Sequence, residues 1–200
     1  MTITYVYNNS LYINLTNKCT SACTFCIKNK WAGKFRGSDL MLKSEPSAEE
    51  VIKAVGDPKK YGEVIFCGYG EPLLRIETLK HIASWVKENG GKVRINTSGH
   101  ANLEYGRNIV PELKGIVDAI SISLNASNPE DYVILHKPKF GAKSYQAVLD
   151  FAAECKKYIP DVTLTCIEFP GTDLAKCRDI ADKLNVKFRS RPYLDEYENS

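Results

Sequence analysis

The stretch Cys19-Thr20-Ser21-Ala22-Cys23-Thr24-Phe25-Cys26 places three cysteines within eight residues, directly after the apolar run 11–15. Thiolates are soft ligands that select zinc, copper(I) or iron–sulfur clusters. A structural zinc site normally takes four protein ligands, and residues 27–66 contain neither His nor Cys. Three close cysteines therefore indicate a metal centre that keeps one position open for chemistry.

The cysteine spacing, with an aromatic residue before the last thiol, resembles the cluster motif of the radical S-adenosylmethionine (SAM) enzymes. Gly68-Tyr69-Gly70-Glu71-Pro72 and Asn96-Thr97-Ser98-Gly99 are similar to two further motifs of that family. The resemblance spans most of the chain. It is nearest to the short TatD-associated radical SAM proteins, and weaker to the activases of glycyl radical enzymes and to 7-carboxy-7-deazaguanine synthases.

The resemblance implies two cofactors, a [4Fe–4S] cluster and SAM. Cys19, Cys23 and Cys26 would hold three irons, and the amino and carboxylate groups of SAM would chelate the fourth. One electron would then cleave SAM to methionine and a 5′-deoxyadenosyl radical, which abstracts hydrogen from a substrate. The expected activity is that of an oxidoreductase or lyase-type enzyme, with an unidentified substrate that is anionic or nucleotide-related.

Family motifs also assign the SAM-binding residues, among which the backbone at 68–70 and Glu71 would hold the amino group. Ser123 and Asn125 would lie at the ribose, and Phe25 near the adenine. The full expected set is Phe25, Gly68, Tyr69, Gly70, Glu71, Thr97, Ser98, Ser123, Asn125 and Arg191. Since small polar residues also simply end strands, a structural role for Thr97, Ser98, Ser123 and Asn125 stays open.

Alternating apolar patterns predict an α/β fold. Residues 3–7 and 11–15 read as a hairpin, and later strand patterns cover 63–67, 93–96, 117–124, 162–169 and 186–191. Helical patterns cover 51–55, 76–88, 145–155 and 174–184, and 103–113 is helical but interrupted by Pro111. Strands alternating with helices imply a parallel sheet, here a partial (βα)6 barrel preceded by a short N-terminal β-hairpin strand. We expect residues 1–200 to form one radical SAM core domain without an auxiliary cluster domain.

In parallel barrels the chemistry collects at the carboxyl ends of the strands. Each candidate residue follows a predicted strand, so we expect all of them to meet at one end of the sheet. Glu168, Arg189 and Arg191 follow the last two strands. The arginines are expected either to bind an anion or to have a structural role, as an ion pair with Glu168 or at an exposed edge of the sheet.

Composition narrows the class of protein. A net charge of +3 with 44% hydrophobic residues is ordinary for a globular domain and does not by itself indicate nucleic-acid binding. Seven cysteines, three of them crowded together, do not form a secreted disulfide framework. Neither a signal peptide nor a membrane span is evident. These features predict a cytoplasmic protein.

Other features leave alternatives open. Loop 28–36 interleaves cations with aromatic rings, which fits a solvated loop, an anionic substrate, an electron donor such as flavodoxin or ferredoxin, or nucleic acid. Cys155 and Cys177 are expected in the core, and the roles of Cys67 and Cys166 are undecided. His136 is expected at the surface, with a place at the cavity mouth as the alternative. The competing hypothesis for the whole chain is a non-catalytic iron–sulfur or zinc module for binding or sensing.

Overall fold

A mostly parallel β-sheet organises the chain in a computed structural model that describes residues 2–30, 34–35 and 37–193. The strands are β1 (Thr4–Tyr7), β2 (Ser10–Ile13), β3 (Lys34–Phe35), β4 (Ser38–Asp39), β5 (Glu63–Phe66), β6 (Val93–Thr97), β7 (Ala119–Ser123), β8 (Asp161–Ile167) and β9 (Lys187–Arg191). The α-helices are α1 (Ile27–Lys30), α2 (Ala48–Val55), α3 (Ile76–Glu88), α4 (Ala101–Tyr105), α5 (Pro129–His136), α6 (Lys143–Cys155) and α7 (Leu174–Leu184). Short 3-10 helices span Pro58–Lys60, Pro72–Arg75 and Val110–Leu113.

The main sheet has the order β1-β2-β5-β6-β7-β8-β9, and β3 pairs separately with β4. β1 and β2 form an antiparallel hairpin, and every later neighbour in the sheet is parallel. The predicted α/β class with a parallel sheet after an N-terminal hairpin is therefore confirmed. Among the described residues the sheet is not closed, because β1 and β9 lie at its edges.

The two faces of the sheet differ in chemistry, because successive strand residues point to opposite sides. One face is apolar and packs against the helices through residues such as Ile13, Phe66 and Ile122, each fully buried. The other face is polar, and it presents Asn96, Ser121 and Thr165 among others to a cavity. A sheet with one polar inner face leaves room for a ligand where a closed barrel would pack a core.

Local signals explain several helix ends. The Ser47 hydroxyl accepts a hydrogen bond from the Glu50 N–H, and the Glu50 carboxylate accepts one from the Ser47 N–H, so the two residues form a capping box at the start of α2. The predicted helical segment 103–113 is two pieces, as Pro111 suggested. α4 ends at Gly106 in the left-handed conformation, and a 3-10 turn follows at Val110–Leu113.

Helix α5 was not predicted from the hydrophobic pattern. Its apolar residues 132–135 are consecutive in sequence, so they do not repeat at helical spacing. A different signal is present, because Asn128 caps the helix, Pro129 occupies its first turn, and two acidic residues follow. The helix matters because its last residue, His136, lies in the candidate site.

Two sequence predictions fall outside the described residues. They are the contributions of Trp31 and of Arg36 to the basic aromatic loop. Among the helices that are described, none combines the length and the apolar character needed to cross a bilayer.

Candidate active site

A cavity of about 420 Å³ opens at the carboxyl ends of the parallel strands. The structure brings the three cysteines and the whole predicted SAM-binding set to its wall, whereas the candidate Glu168 lies outside it. The predicted residues at the wall are Cys19, Phe25, Cys23, Cys26, Gly68, Tyr69, Gly70, Glu71, Thr97, Ser98, Ser123, Asn125 and Arg191. They come from separate parts of the chain, so the parallel topology is what gathers them.

The cysteine loop is held against the end of α5 by backbone hydrogen bonds. The Ala22 N–H donates to the His136 carbonyl at 3.1 Å, and the Thr24 N–H donates to the Leu135 carbonyl at 2.9 Å. Further along, the Lys139 N–H donates to the carbonyl of Thr20 at 2.8 Å. The three thiols therefore sit on a braced segment of chain.

The three thiols influence one another electrostatically. Burial, followed by the charges of Cys19 and Cys26, raises the pKa of Cys23 to about 12. Loss of solvation by the surrounding protein, followed by the charge of Glu71, raises the pKa of Cys19 to about 11, although the residue keeps an exposed surface that moderates the effect. Thiolates crowded in this way need a bound cation to ionise together, since like charges disfavour ionisation. This donor set fits the iron of an iron–sulfur cluster, which cysteine thiolates hold.

The thiols are not arranged around a single ion. Across residues 2–30, 34–35 and 37–193, no three His, Cys, Asp or Glu side chains are placed to hold one metal ion. A structural zinc site brings its ligands to one centre at about 2.3 Å from each sulfur. The ligands of a cluster bind different irons and need not meet at one point.

The two motif glycines are explained by contacts within the chain. A Cβ added to Gly68 would stand 2.3 Å from the Asn14 side-chain oxygen, and one added to Gly70 would stand 2.3 Å from the Lys18 carbonyl oxygen. The sequence prediction attributed these glycines to close approach of a ligand. In the structure the glycines also let the 68–71 segment lie directly on the chain that leads into the cysteine loop, and both line the cavity.

Glu71 is buried and fully engaged by the protein. Its carboxylate accepts hydrogen bonds from the Ser98 N–H at 2.7 Å, the Thr97 hydroxyl at 2.7 Å and the Leu73 N–H at 3.1 Å. Burial raises the pKa of the Glu71 carboxyl, and these donors act in the opposite direction. The hydrogen bonds to Glu71 therefore hold residues 97–98, at the end of β6, in place.

Unpartnered polar atoms lie next to this segment. Within the described structure, Ser21 Oγ, Asn96 Oδ1 and Ser98 Oγ are buried, belong to residues of the cavity wall and have no hydrogen-bond partner. Buried polar groups in proteins are nearly always hydrogen-bonded, to protein, water or ligand. Three such atoms around one cavity fit a ligand rich in amino, carboxylate and hydroxyl groups, as SAM is.

Asn125 lies at the end of β7 in the left-handed conformation, with φ of 55°. Its Oδ1 accepts a hydrogen bond from the Ile167 N–H at 2.9 Å, and its Nδ2 contacts His136 Nε2 at 3.2 Å. The amide expected to meet a ribose is thus already bonded to the protein. Ser123, the other expected ribose contact, is half-buried in the cavity wall.

Phe25 packs between two rings at the cavity wall. Its centroid lies 5.4 Å from that of His136 in an edge-on arrangement, and 6.0 Å from that of Phe169. Neighbouring Lys28 donates to the Asn17 carbonyl at 2.6 Å and lies 4.5 Å from the ring centroid of Tyr69. Lys28, one of the described cations of the basic aromatic loop, therefore braces the site.

Arg189 and Arg191 line the cavity from the edge strand β9. Glu168 is exposed and forms no ion pair with Arg189 or Arg191, so that structural alternative is wrong. Both arginines are exposed on the edge strand, which agrees with the other structural alternative. Glu168 and Arg191 contact each other through the backbone, where the Glu168 N–H donates to the Arg191 carbonyl at 2.9 Å. Arg189 makes a long hydrogen bond of 3.4 Å to Ser121 Oγ. Two cations therefore face the cavity.

The sequence prediction missed His136 and His100. The expectation that His136 lies at the surface is wrong: it is 1% exposed, and its Nδ1 lies 3.5 Å from Cys23 Sγ. His100 is fully buried between the Thr20 hydroxyl at 3.1 Å and the Tyr132 hydroxyl at 2.8 Å. Burial lowers the pKa of His136 to about 3 and that of His100 to about 4, so both rings are neutral at pH 7.

Aromatic residues of the hairpin were also missed. Tyr5, Tyr7 and Tyr12 line the cavity, and the rings of Tyr5 and Tyr12 stack with centroids 5.0 Å apart. Phe35 completes this group, 6.1 Å from Tyr5. Alternation along β1 could have placed Tyr5 and Tyr7 on one face, but only the sheet order shows that this face meets the cavity.

The remaining cysteines lie apart from the loop. Cys155 and Cys177 are fully buried on the helix side of the sheet, as predicted from their apolar stripes. Cys166 is also buried there. Cys67 follows β5 and lines the cavity.

Comparison with known proteins matches this architecture. The family model described as the Radical SAM superfamily matches residues 13–184. An uncharacterized protein of Methanocaldococcus jannaschii is 28% identical over 174 residues, covering 86% of this chain and 52% of that protein. The chain therefore spans about half the length of this curated relative.

Solved structures share the fold at low sequence identity. A radical SAM methyltransferase from Sphaerobacter thermophilus aligns with 94% of this chain and 57% of its own, with a TM-score of 0.62 and 15% identity. Streptococcus suis SuiB bound to S-adenosylmethionine aligns with 94% of this chain and 41% of its own, with a TM-score of 0.67 and 14% identity. The hydrogenase maturase HydG from Carboxydothermus hydrogenoformans aligns with 92% of this chain and 44% of its own, with a TM-score of 0.58 and 15% identity.

Proposed function

The chain belongs to the radical SAM superfamily, whose members use a [4Fe–4S] cluster and SAM, and we propose that it is an enzyme that uses both to remove hydrogen from a small molecule. Cys19, Cys23 and Cys26 are the proposed cluster ligands. The proposed SAM site is the adjoining wall formed by residues 68–71, Thr97 and Ser98, with Ser123, Phe25 and Asn125 at its margin.

One observation carries the proposal. Three thiols, free of disulfides and one ligand short of a closed site, line the same cavity as three buried polar atoms that lack partners. A purely structural metal site closes its coordination with a fourth protein ligand and needs no neighbouring cavity. The arrangement supports a centre that accepts a ligand from the cavity.

The bound cofactors supply a carbon-centred radical on reduction, and the protein supplies position and shelter. The Glu71 carboxylate fixes the Thr97–Ser98 segment through two short hydrogen bonds, so Ser98 and Asn96, whose buried oxygens lack partners among the described residues, are held at a rigid strand end. Phe25 and His136 close one side of the cavity with packed rings. Rigid placement of reacting groups and exclusion of water are the protein's share of such catalysis.

We also propose that the substrate is an anion with a planar ring. The tyrosine pair of the hairpin offers flat apolar surface, and Arg189 and Arg191 offer cationic donors in the same cavity. Guanidinium groups bind carboxylate and phosphate through paired hydrogen bonds. A low-potential donor such as flavodoxin or ferredoxin is the proposed reductant. Seven free cysteines support a reducing, cytoplasmic location, and their distribution supports one cluster in one core domain.

The test of cofactor binding is anaerobic reconstitution with iron and sulfide. Wild-type protein is expected to hold about four irons and four sulfides per chain, to bind SAM in calorimetric titration, and to release 5′-deoxyadenosine when reduced. Cys23→Ala is expected to lose all three properties. Cys67→Ala, which removes a cavity thiol outside the loop, is the matched control and should keep the iron. A Cys23→Ala protein that still forms 5′-deoxyadenosine contradicts the proposal.

The competing non-catalytic module makes a different prediction in the same experiment. It would take up metal and show no heat of SAM binding.

Titration of the loaded protein with indole-3-carboxylate and with its neutral amide tests the substrate class. The acid is expected to bind more tightly, and Arg189→Gln should abolish that preference. Arg178→Gln, whose guanidinium packs over Phe188, is the control. Equal binding of acid and amide to wild-type protein would contradict the proposal that the substrate is an anion.

A further inference from the structure

A chain of three hydrogen bonds runs from the sheet to the cysteine loop. The Ile167 N–H at the end of β8 donates to Asn125 Oδ1 at 2.9 Å. Asn125 Nδ2 lies 3.2 Å from His136 Nε2, and His136 Nδ1 lies 3.5 Å from Cys23 Sγ. The chain thus ends on the sulfur of a proposed cluster ligand.

The direction of each bond follows from the first one. A backbone N–H can only donate, so the Asn125 atom that faces Ile167 is the oxygen, and the amide cannot be turned around. Asn125 therefore presents its NH2 to His136, and Nε2 accepts with its lone pair in the tautomer that satisfies this contact. The Leu124 carbonyl is the competing partner, since it would accept from a ring N–H. A neutral imidazole carries one hydrogen, and in the tautomer that satisfies Asn125 it is on Nδ1. That N–H points to the sulfur of Cys23 and donates to it.

The imidazole is held firmly in this orientation. His136 is 1% exposed and Asn125 is fully buried. The ring of Tyr132 stacks on the imidazole at 4.2 Å with an angle of 10° between the planes, and Phe25 meets it edge-on. The backbone of His136 is bonded to Ala22, next to Cys23 in sequence. Rotation of the ring would break contacts on every side.

We propose that His136 is a positioning residue that donates an N–H···S hydrogen bond to the Cys23 thiolate and thereby raises the reduction potential of the cluster. The inference rests on the proposed function, because it takes Cys23 as a cluster ligand. A hydrogen bond to a ligand sulfur withdraws electron density from the cluster and stabilises its more negative, reduced state. Asn125 acts one step further away, by selecting the imidazole tautomer.

The reduction potential of the reconstituted protein is the decisive measurement, made by anaerobic titration followed by electron paramagnetic resonance. His136→Phe keeps a planar ring between Tyr132 and Phe25 and removes the donor. We expect about a tenfold loss in the one-electron reduction equilibrium, which corresponds to a potential about 59 mV more negative. His136→Asn places an amide N–H near the position of Nδ1 and should restore most of the loss.

The control is Tyr132→Phe, which disturbs the same ring cluster by removing its hydrogen bond to His100 and leaves the chain to Cys23 intact. Its potential is expected to match the wild type. Potentials that are equal in wild type and His136→Phe, or shifted equally in Tyr132→Phe, overturn the inference while the proposed function stands. Wild-type protein that takes up no iron and sulfide overturns both.

A second readout needs no cofactor. Nitrogen-15 NMR of the metal-free protein distinguishes the two neutral tautomers of His136 by the shifts of its ring nitrogens. We expect the hydrogen on Nδ1, and we expect Asn125→Leu, which removes the donor to Nε2, to weaken that preference. Finding the hydrogen on Nε2 in wild-type protein contradicts the hydrogen-bond chain directly.

Discussion

Replacing Gly70 by alanine tests what the glycine motif is for. The added Cβ would stand 2.3 Å from the Lys18 carbonyl oxygen and 2.4 Å from the Thr16 carbonyl oxygen. Both atoms belong to the backbone, so no side chain can rotate away. The strand-end segment and the chain entering the cysteine loop would have to separate.

The cost combines two effects. Forcing an extra carbon into a packed contact costs roughly 1–3 kcal/mol. The separation would also stretch the 2.8 Å hydrogen bond from the Glu71 N–H to the Lys18 carbonyl, and an unsatisfied buried group costs roughly 1–3 kcal/mol. Alanine recovers about 0.4–1 kcal/mol by restricting the unfolded chain. The net expectation is a loss of about 3 kcal/mol in the free energy of unfolding.

Urea unfolding of the metal-free protein measures this loss. Gly62→Ala is the matched control, because its added Cβ would meet nothing closer than 3.3 Å and its backbone is not left-handed. The reasoning is refuted if the two variants are equally stable and Gly70→Ala loses only SAM affinity. That result would mean that Gly70 makes room for the cofactor and not for residues 16–18.

Two further predictions concern buried ionisable groups. In Glu71→Gln an NH2 replaces one carboxylate oxygen, so the donors Ser98, Thr97 and Leu73 have one acceptor fewer. We expect the free energy of unfolding to fall by about 1–3 kcal/mol. The control Glu88→Gln, at an exposed residue, should change it little. In acid, the unfolded chain protonates His100 below pH 6.5 while burial delays this in the folded protein to about pH 4. Stability should therefore fall with pH across that window, by on the order of 3 kcal/mol for His100. Thermal unfolding of wild type and His100→Gln between pH 7 and 4 measures it, and parallel pH profiles would contradict the assignment.

The sheet was predictable because its signals are local. Runs such as 63–66 and 119–123 are apolar and short, and the helices between them force parallel pairing. The meeting of the cysteines, Glu71 and Ser98 followed from that topology, since parallel strands bring their carboxyl ends to one edge. The positions of the candidate site residues were thus implied by the strand order, and their roles remain proposals.

What the sequence concealed depends on contacts between distant residues. Gly70 is constrained by residues near 18, and Glu71 bonds to residues near 98. His136 belongs to a helix that lacks amphipathic spacing, and its partner Cys23 is 113 positions away. No periodicity encodes such pairs, because each arises only after the sheet has assembled.

The open sheet has a consequence for handling the protein. β9 hydrogen-bonds to β8 on one side only within the described residues, so its other margin offers unpaired backbone groups to any neighbouring strand. An exposed strand edge promotes aggregation unless charged side chains on that strand disfavour pairing with another chain. Lys187, Arg189 and Arg191 alternate along this strand and supply those charges. Neutralising the arginines should therefore lower solubility together with ligand affinity, and concentration-dependent light scattering would separate the two effects.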